Sequence, residues 1–156
     1  MNKDDIEIIR FSKENTLAIK TLNVEWLEKY FEVEPSDIKT LSNPQKEIID
    51  KGGKIFYATY LGNIVGTVSL LKIDDFCYEL SKMAVTEKFQ GLGIGKKLIV
   101  FCLAFAKDND IKKLVLFSNT TLVPAIELYK KHGFIEVSLG SSIYKRSNIK
   151  MENVIQ

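Results

Sequence analysis

The order of elements along the 156-residue chain predicts an α/β domain built on a mixed sheet. Three observations carry that expectation. Apolar runs around tight turns fill residues 55–85, the pattern of a strand meander. Beyond residue 94, stretches with helical spacing alternate with short apolar strands. The length suits one full core and is too small for two ordinary domains, so residues 1–156 read as a single domain.

The elements follow in order. Ile6 to Phe11 alternates and reads as a first strand. From Lys13 to Phe31, Leu17, Thr21, Leu22, Trp26, Leu27, Tyr30 and Phe31 recur at three- and four-residue steps, an amphipathic helix. Glu34-Pro35 breaks it and a second helical stretch follows. Asn43 then reads as an N-cap before Pro44, with Gly52-Gly53 as the stop. Ile55 to Tyr60 and Ile64 to Lys72 form a hairpin around Leu61-Gly62-Asn63, and Asp74-Asp75 turns the chain into a strand over Cys77 to Val85. A glycine-bearing loop, Lys88 to Gly93, leads into a helix over Ile94 to Lys107, apolar nearly all round and so expected to be sandwiched. Lys113 to Ser118 is a short strand. Val123 to His132 is a helix with Pro124 in its first turn and Gly133 past its end. Phe134 to Val137 and Ile143 to Met151 close the chain as two strands, the second a hairpin partner or an edge.

Composition narrows the function. Twenty-two Lys and Arg against 20 Asp and Glu give a net charge of +2, with the signs interspersed. No concentrated basic face for nucleic acid is expected. The longest apolar run, Leu98 to Ala106, falls short of the roughly 20 residues that span a bilayer, so no membrane role is expected. Met1 to Arg10 lacks a leader pattern, and a cytoplasmic protein follows as the expectation. Cys77 and Cys102 are isolated and the chain has one histidine, which argues against a metal site or disulfide.

The stretch from Val85 to Lys97 carries most of the chemistry. Gly91, Gly93 and Gly95 join a strand to a helix, whose free N–H groups and dipole suit phosphate oxygens. A dinucleotide fingerprint started at Gly91 would need a sixth-position glycine, where Lys96 stands. A Walker loop would need glycine at Gln90 and Ser or Thr at Lys97. Gln-x-x-Gly-x-Gly over Gln90 to Gly95 resembles the pyrophosphate loop of the GCN5-related N-acetyltransferase (GNAT) superfamily. Glu79 to Val85 looks like that family's fourth strand, and Ala125 to Phe134 is similar to its Ala-x-x-Leu-Tyr-x-x-x-Gly-Phe segment. The resemblance covers essentially the whole chain and is strongest from Glu79 to Phe134.

The resemblance implies a mixed, mostly antiparallel sheet of about seven strands flanked by about four helices. It implies acetyl-CoA as co-substrate, no metal, and direct transfer to a primary amine of a small molecule or peptide. The main chain of Met83, Ala84 and Val85 would hold the pantetheine arm, with the Val85 N–H a donor to the thioester oxygen. Gln90, Gly91, Leu92, Gly93, Ile94, Gly95 and Lys96 would hold the pyrophosphate. Many members carry Asn seven positions before the tyrosine; Leu122 stands there, and Asn119 is the available substitute cofactor contact. Tyr129 would contact the cofactor and act as general acid to the departing sulfur. Glu79 has the spacing of the base glutamate in the histone-acetylating branch, acting directly or through water; the competing reading is a structural role in the sheet. Trp26 and Tyr30 either line the acceptor pocket or belong to a core stripe. His132, in a last helical turn, reads as structural. The rival to an enzyme is a non-catalytic acyl-CoA-binding sensor. A homodimer is compatible with either.

Overall fold

The computed structural model describes residues 2–140 and 144–156. Its centre is a seven-stranded sheet ordered β1-β2-β3-β4-β5-β7-β6. The strands are β1 Ile6–Arg10, β2 Lys54–Tyr60, β3 Asn63–Lys72, β4 Cys77–Val85, β5 Lys113–Ser118, β6 Ile135–Val137 and β7 Ile149–Val154. β1 to β4 form an antiparallel meander, β4 and β5 are parallel, and β7 runs antiparallel between β5 and β6. The β2–β3 hairpin closes on Leu61 and Gly62, both at positive φ (49° and 84°), between the paired Tyr60 and Asn63. That turn matches the natural strand twist.

Four helices cover the two faces: α1 Ala18–Tyr30, α2 Pro35–Ser42, α3 Ile94–Asp108 and α4 Val123–Lys131. Alternation splits the sheet side chains between two cores. Phe56, Val68, Leu70 and Leu80 pack with Leu98, Ile99 and Cys102 of α3. Ile55 and Tyr57 pack on the other face with Ile19 of α1, Leu41 of α2 and Ile48. Among the described residues no helix is long and apolar enough to cross a membrane.

Four local expectations are corrected. The first helix does not begin at Lys13: residues Lys13–Asn15 form a separate 3-10 turn in which the Ser12 N–H donates to Asn15 Oδ1 at 2.8 Å. Leu17, outside α1, is 75% exposed, and the buried stripe is Ile19, Leu22, Asn23 and Leu27. Asn43 does not cap the next helix with its side chain, because its Nδ2 donates back to Lys39 O at 3.1 Å. The turn that follows widens to i→i−5 bonds over Gln45–Ile49 and stops at Gly53, where a Cβ would lie 2.6 Å from Leu70 O. α3 is not sandwiched. One face is buried, Val100 is 45% exposed, and Phe101 and Phe105 fold edge-on against Phe56 at 4.8 and 5.2 Å. The last strand is Ile149–Val154 rather than Ile143 to Met151, and it is internal, leaving β6 as the edge. Ile143 lies outside the described residues; residues 144–148 are loop, since Tyr144 and Arg146 are drawn into the cleft described next.

Candidate active site

β4 and β5 pair over only three residues, Cys77↔Lys113, Tyr78↔Leu114 and Glu79↔Val115. Beyond Glu79 they diverge. β5 stays with β7 as far as Ser118, while β4 follows β3 through a bulge between the pairs Ser69↔Ser81 and Thr67↔Ala84. Lys82 sits in that bulge at φ 53°, a conformation that costs a side-chain-bearing residue about 1 kcal/mol or more. Buried contacts hold it there: Asn23 Nδ2 donates to the Lys82 carbonyl at 3.1 Å, and Lys82 Nζ pairs with Asp37 at 3.2 Å. The divergence opens a cleft of about 930 Å³ between the β4 edge, α1, the start of α3 and α4.

At one end lies the glycine loop. Gln90 Nε2 donates to Val85 O at 2.9 Å, tying the loop to the strand end. Gly93 precedes α3 at φ 82°, and a Cβ built on it would meet nothing within 4 Å. Backbone conformation therefore selects glycine here, and the space beside it is open. The first bond into α3 is from Lys97 N–H to Gly93 O at 3.1 Å. The amides of Gly93, Ile94, Gly95 and Lys96 have no backbone acceptor among the described residues, and at the positive end of the helix dipole such a row can hold a phosphate anion. Gln90, Gly91, Gly93, Ile94, Gly95 and Lys96 line the cleft, as do Met83, Ala84 and Val85; Leu92 does not.

Tyr129 of α4 forms part of the wall. Its ring packs edge-on against Phe134 at 5.9 Å, its hydroxyl makes no hydrogen bond among the described residues, and burial pushes its phenol up to about 12. Asn119 lines the cleft, but both halves of its amide are engaged within the chain. Its Nδ2 donates to Arg146 O at 2.7 Å, and its Oδ1 accepts from Thr121 N–H and Oγ1 at 2.9 and 2.7 Å. It thereby ties the loop before α4 to the segment before β7.

At the other end, Glu79 is buried behind the cleft surface rather than lining it. Burial raises its carboxyl above the ordinary glutamate value. Tyr144 donates to Glu79 Oε2 at 3.3 Å and lies 3.5 Å from Ser81 Oγ; both hydroxyl residues line the cleft. The Tyr144 ring is flanked by Lys82 Nζ at 4.9 Å and Arg146 Cζ at 5.0 Å, and burial raises its phenol too. Arg146 grips Asp37 with Nη1 and Nη2, each at 2.9 Å, and Glu34 at 2.7 Å. Asp37 is fully buried. Burial alone would raise its carboxyl, but Arg146, the Glu34 N–H and Lys82 together hold it below the ordinary value. Burial pulls the Lys82 ammonium down from its ordinary range.

Trp26 and Tyr30 line the same cleft, their rings 5.4 Å apart. His132 caps α4 with Nδ1 2.9 Å from Leu128 O. Cys102 is core, its thiol pushed up to about 12 by burial. Sequence reasoning missed Asn23, Asp37, Ser81, Lys82, Tyr144 and Arg146 as site residues. The one local hint is Lys82 itself, a cation at an inner position of the strand that also carries Glu79 and Ser81.

A seven-stranded sheet parted at its parallel pair, with an amide-lined helix start at the gap, is an architecture shared with solved acetyltransferases. The model of the Acetyltransferase (GNAT) family matches residues 18–134, and the chain belongs to that family. An acetyltransferase of the GNAT family from Staphylococcus aureus Mu50 superposes with a TM-score of 0.87 at 23% identity, covering 97% of this chain and 99% of that one. The PaiA N-acetyltransferase of Thermoplasma acidophilum, solved with coenzyme A, gives a TM-score of 0.72 at 19% identity over 96% and 98% of the two chains. These likenesses establish the fold. N-acetyltransferase 8 of Rattus norvegicus is 32% identical over 90 residues, 54% of this chain and 40% of that protein. The chain spans under half the length of the curated relatives it first matches.

Proposed function

We propose that this protein transfers the acetyl group of acetyl-CoA directly to a primary amine of a small molecule or peptide. One observation carries the reading: the parted β4 and β5 give a continuous cleft, with amides that have no backbone acceptor among the described residues at one end and the Glu79–Tyr144 pair at the other. The open space beside Gly93 and the free amides of Gly93 to Lys96 fit a pyrophosphate, with Lys96 adding charge. The β4 edge at Met83 to Val85, unpaired towards β5, suits an amide-bearing arm laid along it as an added strand. Acetyl-CoA, when bound, supplies the activated carbonyl.

The residues then divide the proton work. Glu79, made more basic by burial, takes the ammonium proton through the hydroxyls of Tyr144 and Ser81 or through water. The amine forms the new C–N bond as the C–S bond breaks, and the second proton the nitrogen sheds returns through water to the Tyr129 oxygen once that has donated. Tyr129, protonated throughout the physiological range, donates to the departing sulfur. Asn119 acts through position, holding Arg146 and the α4 approach. Trp26 and Tyr30 wall the acceptor end. Family membership and the rat relative support the same class of reaction.

The test is thiol release from acetyl-CoA against peptides, amino acids, polyamines and aminoglycosides, alongside calorimetric binding of CoA. Acceptor-dependent thiol with an acetylated product is the expected result. CoA binding with no acceptor-dependent thiol from any class would replace the enzyme with an acyl-CoA sensor.

A further inference from the structure

The charged residues that line the cleft among the described residues are all cations, Lys82, Lys96 and Arg146, with the Lys82 side chain 4% exposed. Lys96 belongs to the helix start. Lys82 and Arg146 stand at the opposite end, around Tyr144. The carboxylates that balance them, Asp37 and Glu34, do not line the cleft, and neither does Glu79. The acceptor end is therefore polarised, with positive charge on the cleft side and negative charge behind it.

Arg146 also retains donors. Its two Nη1 hydrogens serve Glu34 and Asp37, and one Nη2 hydrogen serves Asp37. The second Nη2 hydrogen and the Nε hydrogen have no acceptor among the described residues, and the side chain is 17% exposed. A guanidinium with two donors left in a cleft wall is built to receive a carboxylate. A polycationic amine would instead meet Lys82 and Arg146 with no facing carboxylate.

Resting on the transfer reading above, we propose that the acceptor is an amino acid with a free carboxylate. That carboxylate docks on Arg146, with Lys82 beside it. The amine must lie where the hydroxyls of Tyr144 and Ser81 can pass its proton to Glu79. A single tyrosine ring separates those hydroxyls from the two cations, so carboxylate and amine belong to the same small residue. The remaining wall is aromatic, Trp26 and Tyr30, which suits an apolar side chain.

Matched acceptors test this on the full chain. Leucine and phenylalanine are each assayed as free acid, carboxamide and decarboxylated amine, with spermidine as the polycation. The free acids should exceed their own amides in kcat/KM by about 10- to 100-fold, the range for a hydrogen-bonded charge contact. Arg146→Lys should shrink that ratio; should the variant not fold, the wild-type pairs decide alone. Amides or spermidine acetylated as well as the acids would overturn the inference and leave transfer standing. Should none of these acceptors turn over, the broader acceptor screen decides transfer, and calorimetry with CoA present still decides the carboxylate. Tighter binding of N-acetylphenylalanine than of its amide supports the site, and equal affinity overturns it.

Discussion

Replacing Tyr129 by phenylalanine removes one hydroxyl and leaves the ring packed edge-on against Phe134. No chain group among the described residues is bonded to that hydroxyl, so none is stranded by its loss. Stability should change by less than about 0.5 kcal/mol, or about 2 °C in Tm. The effect on turnover follows from what the hydroxyl meets. A hydrogen bond to a charged group contributes ~1.5–3 kcal/mol, which at ~1.4 kcal/mol per decade is about 10- to 150-fold in rate. Full proton transfer from a phenol at about 12 to a solvated thiolate, ordinarily near 8.5, would be uphill. A hydrogen bond from the neutral phenol to the developing thiolate needs no full transfer, and exclusion of water from the cleft raises the basicity of the sulfur. The assay is acceptor-dependent thiol release with a verified amine, from mildly acidic to alkaline pH, with CoA affinity measured by calorimetry. Since the Tyr129 phenol stays protonated until about 12, the variant should lose rate uniformly and keep the shape of its pH profile. A loss smaller than about threefold at every pH would remove Tyr129 from the chemistry.

Three further substitutions probe the remaining parts. Glu79→Gln should lower turnover by ~10²- to 10⁴-fold and abolish the acidic limb of the rate profile, which should lie above the ordinary 4.5 of a glutamate. Its raised carboxyl favours the protonated fold, so wild-type stability is greatest below 4.5 and declines as pH rises through the folded value; melts of Glu79→Gln should lack that decline. Gly93→Val should weaken CoA binding by at least about tenfold while costing about 1–2 kcal/mol of backbone strain. Gly62→Val, with φ 84° and equally open space at the hairpin turn, carries similar strain; unchanged CoA affinity in Gly93→Val would remove the loop as the phosphate site. Asp37→Asn leaves the buried Lys82 ammonium without its ion-pair partner and Arg146 with Glu34 alone, a loss of about 3–5 kcal/mol or about 6–20 °C in Tm. Because the Asp37 carboxyl is held below 3.8, its stabilisation is present above that pH and disappears as pH falls through the folded value; urea unfolding should show wild type and variant converging there.

The legible half of the site lies on continuous sequence. Cys77–Val85 and Lys113–Ser118 are strands with the bounds their apolar runs indicate, and Gly93 starts α3 where the glycine loop ends. The resemblance carried by Gln90 to Gly95 agrees with the family match. The acceptor end was illegible because its contacts join residues far apart. Lys82 meets Asp37 across 45 residues and Arg146 meets it across 109, and no local pattern encodes such pairs. The last strand was misplaced because Tyr144 looks like a strand residue but is buried at the cleft beside Glu79. The pairing with β5 begins only at Ile149. Spacing alone singles out Glu79 and does not reveal that Tyr144 and Ser81 line the cleft in front of it.

The most direct test of transfer within this cleft is a crystal structure with CoA bound. Pyrophosphate oxygens should lie about 3 Å from the amides of Gly93 to Lys96, with the arm along Met83 to Val85 and the sulfur within hydrogen-bond reach of the Tyr129 hydroxyl. CoA seated elsewhere, or a sulfur that Tyr129 cannot reach, would contradict transfer within this cleft.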